Sequence, residues 1–152
     1  MSDGDMLSKY ERENLLLKLE KEFAFAGARI PAMVEADGER IMLKVLVFGM
    51  SKKRGHLTPE DMAEVERAIT IVRRKRREIV SRISREEMTW AEAKALYETA
   101  LGLDRALDAL YNAPLPKPSL AEESRKARLE DGRRWMDLVK RVYGREDKRK
   151  RD

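Results

Sequence analysis

The amino-acid sequence predicts a mostly α-helical protein built around a long antiparallel helical hairpin. Two stretches, 62–83 and 93–110, place apolar side chains at alternating steps of three and four residues, which keeps them on one narrow face of a helix. Hydrophobic residues make up 42% of the 152-residue chain, and only 6% of its residues are aromatic. This composition provides one domain core and favours extended helical packing over a thick globular interior.

Each helix of the predicted hairpin has its own start signal. Thr58 and Pro59 precede acidic residues, as at a helix N-terminus, and Thr89 forms a capping-box sequence with Glu92. We therefore expect helices over 58–83 and 90–111. The two apolar stripes consist of Met62, Val65, Ile69, Val72, Arg76, Ile79 and Ile83, and of Ala93, Leu96, Ala100, Leu103, Leu107 and Leu110.

Two further elements are predicted before the hairpin. Residues 6–26 have the spacing of an amphipathic helix that ends at Gly27. Residues 30–50 contain Asp37-Gly38 between two apolar runs, the strongest short signal for a β-hairpin turn. The run that follows could extend the second strand or begin a short helix, and we favour a helical turn near 44–51.

The C-terminal part of the chain is predicted to be organised separately. Proline recurs over 113–118, which indicates a stiff, extended linker. A further amphipathic helix is expected over 119–144, followed by a basic disordered tail over 145–152. The main domain would then cover 1–112. The apolar stripe of the last helix must pack either on the hairpin or on a protein partner, and the heptads permit either a monomer or a homodimer.

Charge is the main functional signal in the sequence. The net charge is +5, which favours an anionic partner, and the excess is concentrated in one helix and in the tail. We expect nucleic acid, RNA in particular, to be bound by phosphate contacts. The candidate residues are Arg73, Arg74, Lys75 and Arg77, helped by Lys148, Arg149, Lys150 and Arg151.

The same charges have a structural interpretation that stays open. Arg73 to Arg77 could form a solvated helix face, with Arg76 lying in the seam between the two helices. Arg76 would then need a carbonyl or an acid on the opposite helix, with Glu98 or Glu92 as candidates. In that case the heptads and the last helix would serve a protein-interaction scaffold, and the basic residues would be paired individually with acids.

Several other chemistries are disfavoured by residue usage. The chain contains no Cys, which excludes disulfides, thiolate metal sites and thiol catalysis, and it contains a single histidine, His56. No acid stands in an apolar context that would indicate acid–base catalysis, so we expect neither an enzyme nor a cofactor. The basic loop 51–56 matches no phosphate-loop motif. Gly102, within a predicted helix, indicates close approach of another element, and the aromatic residues are interpreted as core or partner interface.

The location in the cell follows from similar exclusions. No apolar run approaches the roughly 20 residues of a membrane span. The first five residues, Met-Ser-Asp-Gly-Asp, lack the basic and apolar regions of a signal peptide. We expect a soluble, cytoplasmic protein. The absence of Cys and Gln, the scarcity of Asn and the high charge favour a heat-tolerant source.

Residues 30–111 also resemble a known group of sequences as a whole. The features that carry this resemblance are Ile30-Pro31, Asp37-Gly38-Glu39, the long basic helix, and the segments 83–87 and 103–110. They resemble a family of small, uncharacterised archaeal proteins, and the resemblance implies neither an activity nor functional residues.

Overall fold

The computed structural model describes residues 5–116, and this part of the chain is mostly α-helical with one small β-hairpin. The prediction of this fold class is confirmed. The predicted helix 119–144 and the basic tail lie outside the described residues. The elements in chain order are α1 (Lys9–Leu19), β1 (Val34–Ala36), β2 (Glu39–Ile41), α2 (Leu43–Lys52), α3 (Pro59–Arg85) and α4 (Trp90–Asn112).

The hairpin of α3 and α4 forms the centre of the fold, and both predicted capping boxes are present. The Thr58 side chain accepts from the Asp61 backbone N–H, and the Thr89 side chain accepts from Glu92 in the same way. The predicted stripes supply the core, with Val72, Ile83, Leu103 and Leu110 fully buried. The buried face of α3 is wider than the predicted stripe, because α3 packs on β1 as well as on α4.

The predicted helix over 6–26 is wrong in its extent. Helix α1 begins after Ser8, which forms a capping box with Glu11, and it ends at Leu19. The chain then passes through turns, with Phe23 and Gly27 both at positive φ, because it must next cross the face of α4. Before the helix, the Leu7 N–H donates to the Met88 carbonyl at 2.8 Å, which ties the N-terminal segment to the α3–α4 turn.

The Asp37-Gly38 turn forms as predicted. Strand β1 pairs antiparallel with β2, Val34 opposite Ile41. Asp37 and Gly38 have φ of 51° and 78°, the left-handed pair required by a type I′ turn. The favoured helical turn after the hairpin is confirmed as a full helix, α2.

The segment that follows α4 differs from the extended linker predicted from its prolines. Ala113 is helical in conformation and buried. Its carbonyl accepts the Gly55 N–H at 3.0 Å, and the Leu115 carbonyl accepts from Arg54 at 3.3 Å. The first residues after α4 therefore pack on the loop between α2 and α3. Gly55 has a φ of 81°, and a Cβ there would lie 3.0 Å from the Pro116 Cα, so this contact requires glycine.

Candidate nucleic-acid interface

The basic run of α3 is divided between two environments. Arg73, Arg74 and Arg77 are exposed, whereas Lys75 and Arg76 are half-buried. An α-helix turns 100° per residue, so five consecutive side chains cannot share one face. The run is therefore not one continuous cationic surface.

One edge of α3 lies beside the acidic β-hairpin turn. Arg74 forms an ion pair with Asp37 at 3.0 Å, and Arg67 pairs with Glu39 at 3.8 Å. Both side chains of the Arg74–Asp37 pair are largely exposed, at 47% and 70%. Exposed pairs of this kind contribute little to stability and exchange readily. These arginines are partly neutralised, but they remain reachable by a stronger anion.

Lys75 also has an acidic partner. Its ammonium lies 3.6 Å from the Glu78 carboxylate, one turn further along the same helix. Lys75 is less exposed than Arg74, with 31% of its side chain exposed against 47%. It therefore contributes less to an external phosphate site than the sequence predicts.

Arg76 meets an acid on the opposite helix, but at a different residue from the predicted Glu98 or Glu92. Its Nε lies 2.5 Å from a carboxylate oxygen of Asp104, and the two side chains are only 26% and 16% exposed. Helical side chains lean toward the helix N-terminus, which on α3 points away from the turn. The long Arg76 side chain therefore reaches further along α4 than a residue-for-residue pairing predicts.

Arg73 and Arg77 line an open cavity of about 380 Å³ beside this ion pair. They lie one helical turn apart, and neither has an acidic partner among residues 5–116. The cavity walls carry three arginines, Arg76 included, against one acid, Asp104. Because Arg76 neutralises Asp104, the remaining charge of the cavity is that of the two free guanidinium groups. This arrangement is suited to an anion with several oxygen acceptors, such as a phosphate.

Tyr111 is the residue of this site that sequence reasoning missed. Its 51% exposure excludes the core as its place, and it lines the cavity with Leu107. A second cavity, of about 430 Å³, lies on its other side. The spacing of Asp104, Leu107 and Tyr111 places all three on one face of α4. Pairing Arg76 with Asp104 in the sequence would have placed Tyr111 beside the basic run.

Of the other residues singled out in the sequence, Gly102 has a structural role. The carbonyl of Arg29 packs so closely on Gly102 that a Cβ would overlap it, which confirms the packing interpretation of that glycine. His56 is exposed in the loop before α3. Lys148, Arg149, Lys150 and Arg151 lie outside the described residues.

Asp61, in the first turn of α3, has a pKa that departs clearly from its ordinary value. The pKa is lowered, chiefly because the Thr58 backbone N–H donates to the carboxylate at 3.0 Å, with a smaller contribution from Lys53 at 3.3 Å. This keeps Asp61 ionised as a helix cap, whereas a general acid needs a raised pKa. Among residues 5–116, no group of three or more His, Asp or Glu side chains could hold a metal ion.

No helix within residues 5–116 combines the length and the apolar character that crossing a membrane requires.

Comparison with known proteins identifies a family. No curated protein and no solved structure matches the chain. One family model matches residues 7–140, most of the sequence. The chain therefore belongs to DUF5788, a family of unknown function.

Proposed function

We propose that this protein is a non-enzymatic nucleic-acid-binding protein that favours structured RNA, alone or in a ribonucleoprotein. The observation that carries the proposal is the pair Arg73 and Arg77. Both are exposed, both lack an acidic partner within residues 5–116, and both line one open cavity. Arginine offers several donors in a planar fork that matches phosphate oxygens.

The exposed ion pairs define the width of the proposed interface. Arg74 must leave Asp37, and Arg67 must leave Glu39, before either can meet a phosphate. The structure therefore supports a narrow contact centred on Arg73 and Arg77, with weaker help from Arg74. No element within residues 5–116 presents a row of side chains suited to reading base edges in a groove, so little sequence specificity is expected from this part of the chain. The tail residues 148–151 would add phosphate contacts of their own.

Salt dependence tests the proposal directly. The nuclease-treated full chain is titrated against a labelled structured RNA and a DNA duplex of equal length, at about 50 to 300 mM salt. Replacing Arg73 and Arg77 together by Gln should weaken RNA binding and reduce the slope of log K against log salt by about 1.4 to 1.8, two phosphate contacts.

The matched control replaces Arg82 and Arg85 by Gln. These residues lie on the same helix and carry the same charge, but they do not line the cavity. The control should keep most of the affinity. Equal losses in both double variants would mean that net charge, and not this site, determines binding. The absence of RNA binding at low salt would overturn the proposal.

A protein-interaction scaffold is the second candidate, and a different surface favours it. Met42, Val45 and Phe48 are each more than half exposed on one side of α2, and Met42 and Val45 line an apolar cavity with Ile41 and Leu46. Three members of the basic run also have acidic partners, as a scaffold predicts. Sedimentation of the wild-type chain and of a Val45→Ser/Phe48→Ser variant tests this. A dimer that the variant loses would support the scaffold, whereas a monomer in both would count against self-association through α2.

The proposal extends to source and location. An archaeal, heat-tolerant origin fits the high charge and the absence of Cys and Gln. RNA binding without an enzymatic step fits action in the cytoplasm. The thermal unfolding midpoint of the purified chain tests the heat-tolerant origin. A midpoint above the roughly 45–65 °C that is typical of mesophilic domains would support it, and one within that range would count against it.

A further inference from the structure

We infer that the two cavities beside Tyr111 form one nucleotide-binding site, in which Arg73 and Arg77 hold the phosphate and Tyr111 stacks on the base. This inference rests on the proposed function, because it specifies which part of an RNA the basic surface would recognise. Tyr111 and Leu107 line both cavities, as do Arg76 and Asp104. The cavities are therefore two halves of one depression along the α3–α4 seam.

The two halves differ in chemistry as the two ends of a nucleotide do. The half that contains Arg73 and Arg77 carries the unpaired positive charge. The other half adds the apolar side chains of Leu19, Phe23 and Phe25, as well as the charged residues Lys21, Glu22 and Asp108. A phosphate is attracted to the first half, and a flat, weakly polar base fits the second. Tyr111 stands between them with about half of its surface exposed.

The ion pair at the base of the depression makes this arrangement possible. An unpaired Asp104 would repel a phosphate in the cavity that it lines. Its 2.5 Å contact with Arg76 neutralises that charge and holds Arg76 in place. The carboxylates of Glu22 and Asp108 line the half without Arg73 and Arg77 and not the other, so their charge is kept away from the phosphate position.

The chemistry selects an unpaired nucleotide over a duplex. A base inside a duplex is already stacked on both faces, so it cannot also stack on Tyr111 without leaving its helix. Loops, bulges and single strands offer unstacked bases, which proteins commonly bind on aromatic side chains next to basic residues. The same chemistry would be supplied by a free mononucleotide, and the experiment below separates these two sources.

The test compares a hairpin RNA with an unpaired loop and a fully paired RNA of equal length, both labelled, at one salt concentration. Replacing Tyr111 by Ala should weaken binding of the looped RNA about 5- to 150-fold, the range for losing one stacked base, and should change binding of the paired RNA less than twofold. Tyr111→Phe keeps the ring and should bind the looped RNA within about twofold of wild type. Tyr111→Leu keeps apolar bulk without an aromatic face and should behave like the Ala variant.

Adenosine and uridine monophosphate serve as competitors against the looped RNA. The dissociation constant of each mononucleotide for the protein is measured first. If a mononucleotide displaces the looped RNA at concentrations near that constant, a free nucleotide is a ligand of this site. Failure to displace, together with the Tyr111→Ala loss, would assign the site to an unpaired residue within an RNA chain.

The outcomes also separate this inference from the proposed function. Tight RNA binding that is equal in wild type and Tyr111→Ala would overturn the nucleotide site and leave the phosphate surface standing. If the wild type bound neither RNA nor mononucleotide, both would fail. Because about half of the Tyr111 side chain is exposed, the variants should unfold at nearly the wild-type temperature. If Tyr111→Ala lowered the thermal unfolding midpoint and Tyr111→Leu did not, the RNA affinity of the Leu variant would be used to judge the inference.

Discussion

Arg74 and Arg76 lie two residues apart on α3, each meets an aspartate, and the two pairs occupy opposite environments. The Arg76–Asp104 pair lies in the seam with α4, with side chains 26% and 16% exposed, whereas the Arg74–Asp37 pair lies on the outer face at 47% and 70%. The same chemistry therefore serves two purposes. The seam pair is part of the packing, and the outer pair is a loose contact that a ligand can replace.

The face of α4 that residues 28–31 cross should be the least tolerant of added volume, and Gly102 is the sharpest test. A Cβ there would overlap the Arg29 carbonyl and crowd Pro31, so backbone must move. We expect Gly102→Ala to lower the free energy of unfolding by about 3 kcal/mol, measured by urea denaturation. Gly49→Ala is the control, because nothing lies near its Cβ, and it should raise stability by about 0.5–1 kcal/mol. Equal effects of the two would contradict close packing at Gly102.

Breaking the seam pair should come next in size. Asp104→Leu leaves the half-buried Arg76 without its acid, which should cost about 2 kcal/mol, less than for a fully buried pair because both partners retain some solvent contact. The double variant Arg76→Met/Asp104→Leu should recover most of this loss. If the single and double variants were equally unstable, the pair would not be what stabilises the seam.

The effect of replacing Asp61 on stability should fall between those of the seam pair and the outer pair, and it depends on pH. Its carboxylate is 11% exposed but its partner Lys53 is 56% exposed, so the acid is held mainly by the Thr58 backbone. Its lowered pKa in the folded state means that the unfolded chain takes up the proton first. The stabilisation is therefore complete above the unfolded pKa of about 4 and is lost as pH falls through the lower folded value. Asp61→Asn should flatten the loss of stability below about pH 4, measured by urea denaturation from pH 6 to pH 3. If the variant lost stability below about pH 4 as steeply as the wild type, the loss would be due to other carboxylates.

The smallest effect on stability is expected at the outer pair. Arg74→Gln should change the free energy of unfolding by less than about 0.5 kcal/mol. Its effect on RNA affinity should also be smaller than that of Arg73→Gln or Arg77→Gln, because Asp37 competes for Arg74 in the free protein. A larger loss of affinity at Arg74 would move the proposed interface toward the β-hairpin.

Periodicity and capping predicted the elements whose stability is local or repeated. The stripes of α3 and α4, the two Thr caps and the Asp37-Gly38 turn follow from residues close together in sequence, and all are present. The length of α1 could not be read in this way. The local sequence would allow the helix to continue past Leu19. The helix ends there because residues 28–31 must cross α4 at Gly102.

The candidate site was predicted only in part for a related reason. Arg73 and Arg77 could be identified from charge, since an exposed basic run is a local feature. Tyr111 could not, because it joins the site only through the register of α3 against α4. That register depends on the direction in which helical side chains lean and on the single contact of Arg76 with Asp104.

The hydrogen bond between Leu7 and Met88 has a consequence for the order in which the chain folds during synthesis. The donor leaves the ribosome about 80 residues before the acceptor, a delay of about 4 to 16 seconds at 5–20 residues per second. This hydrogen bond therefore cannot form until the α3–α4 turn has been made, whereas α1 also packs on α3, which is made earlier. The bond can therefore form only after residue 88 has been made, so it cannot nucleate the folding of the segments that precede that residue.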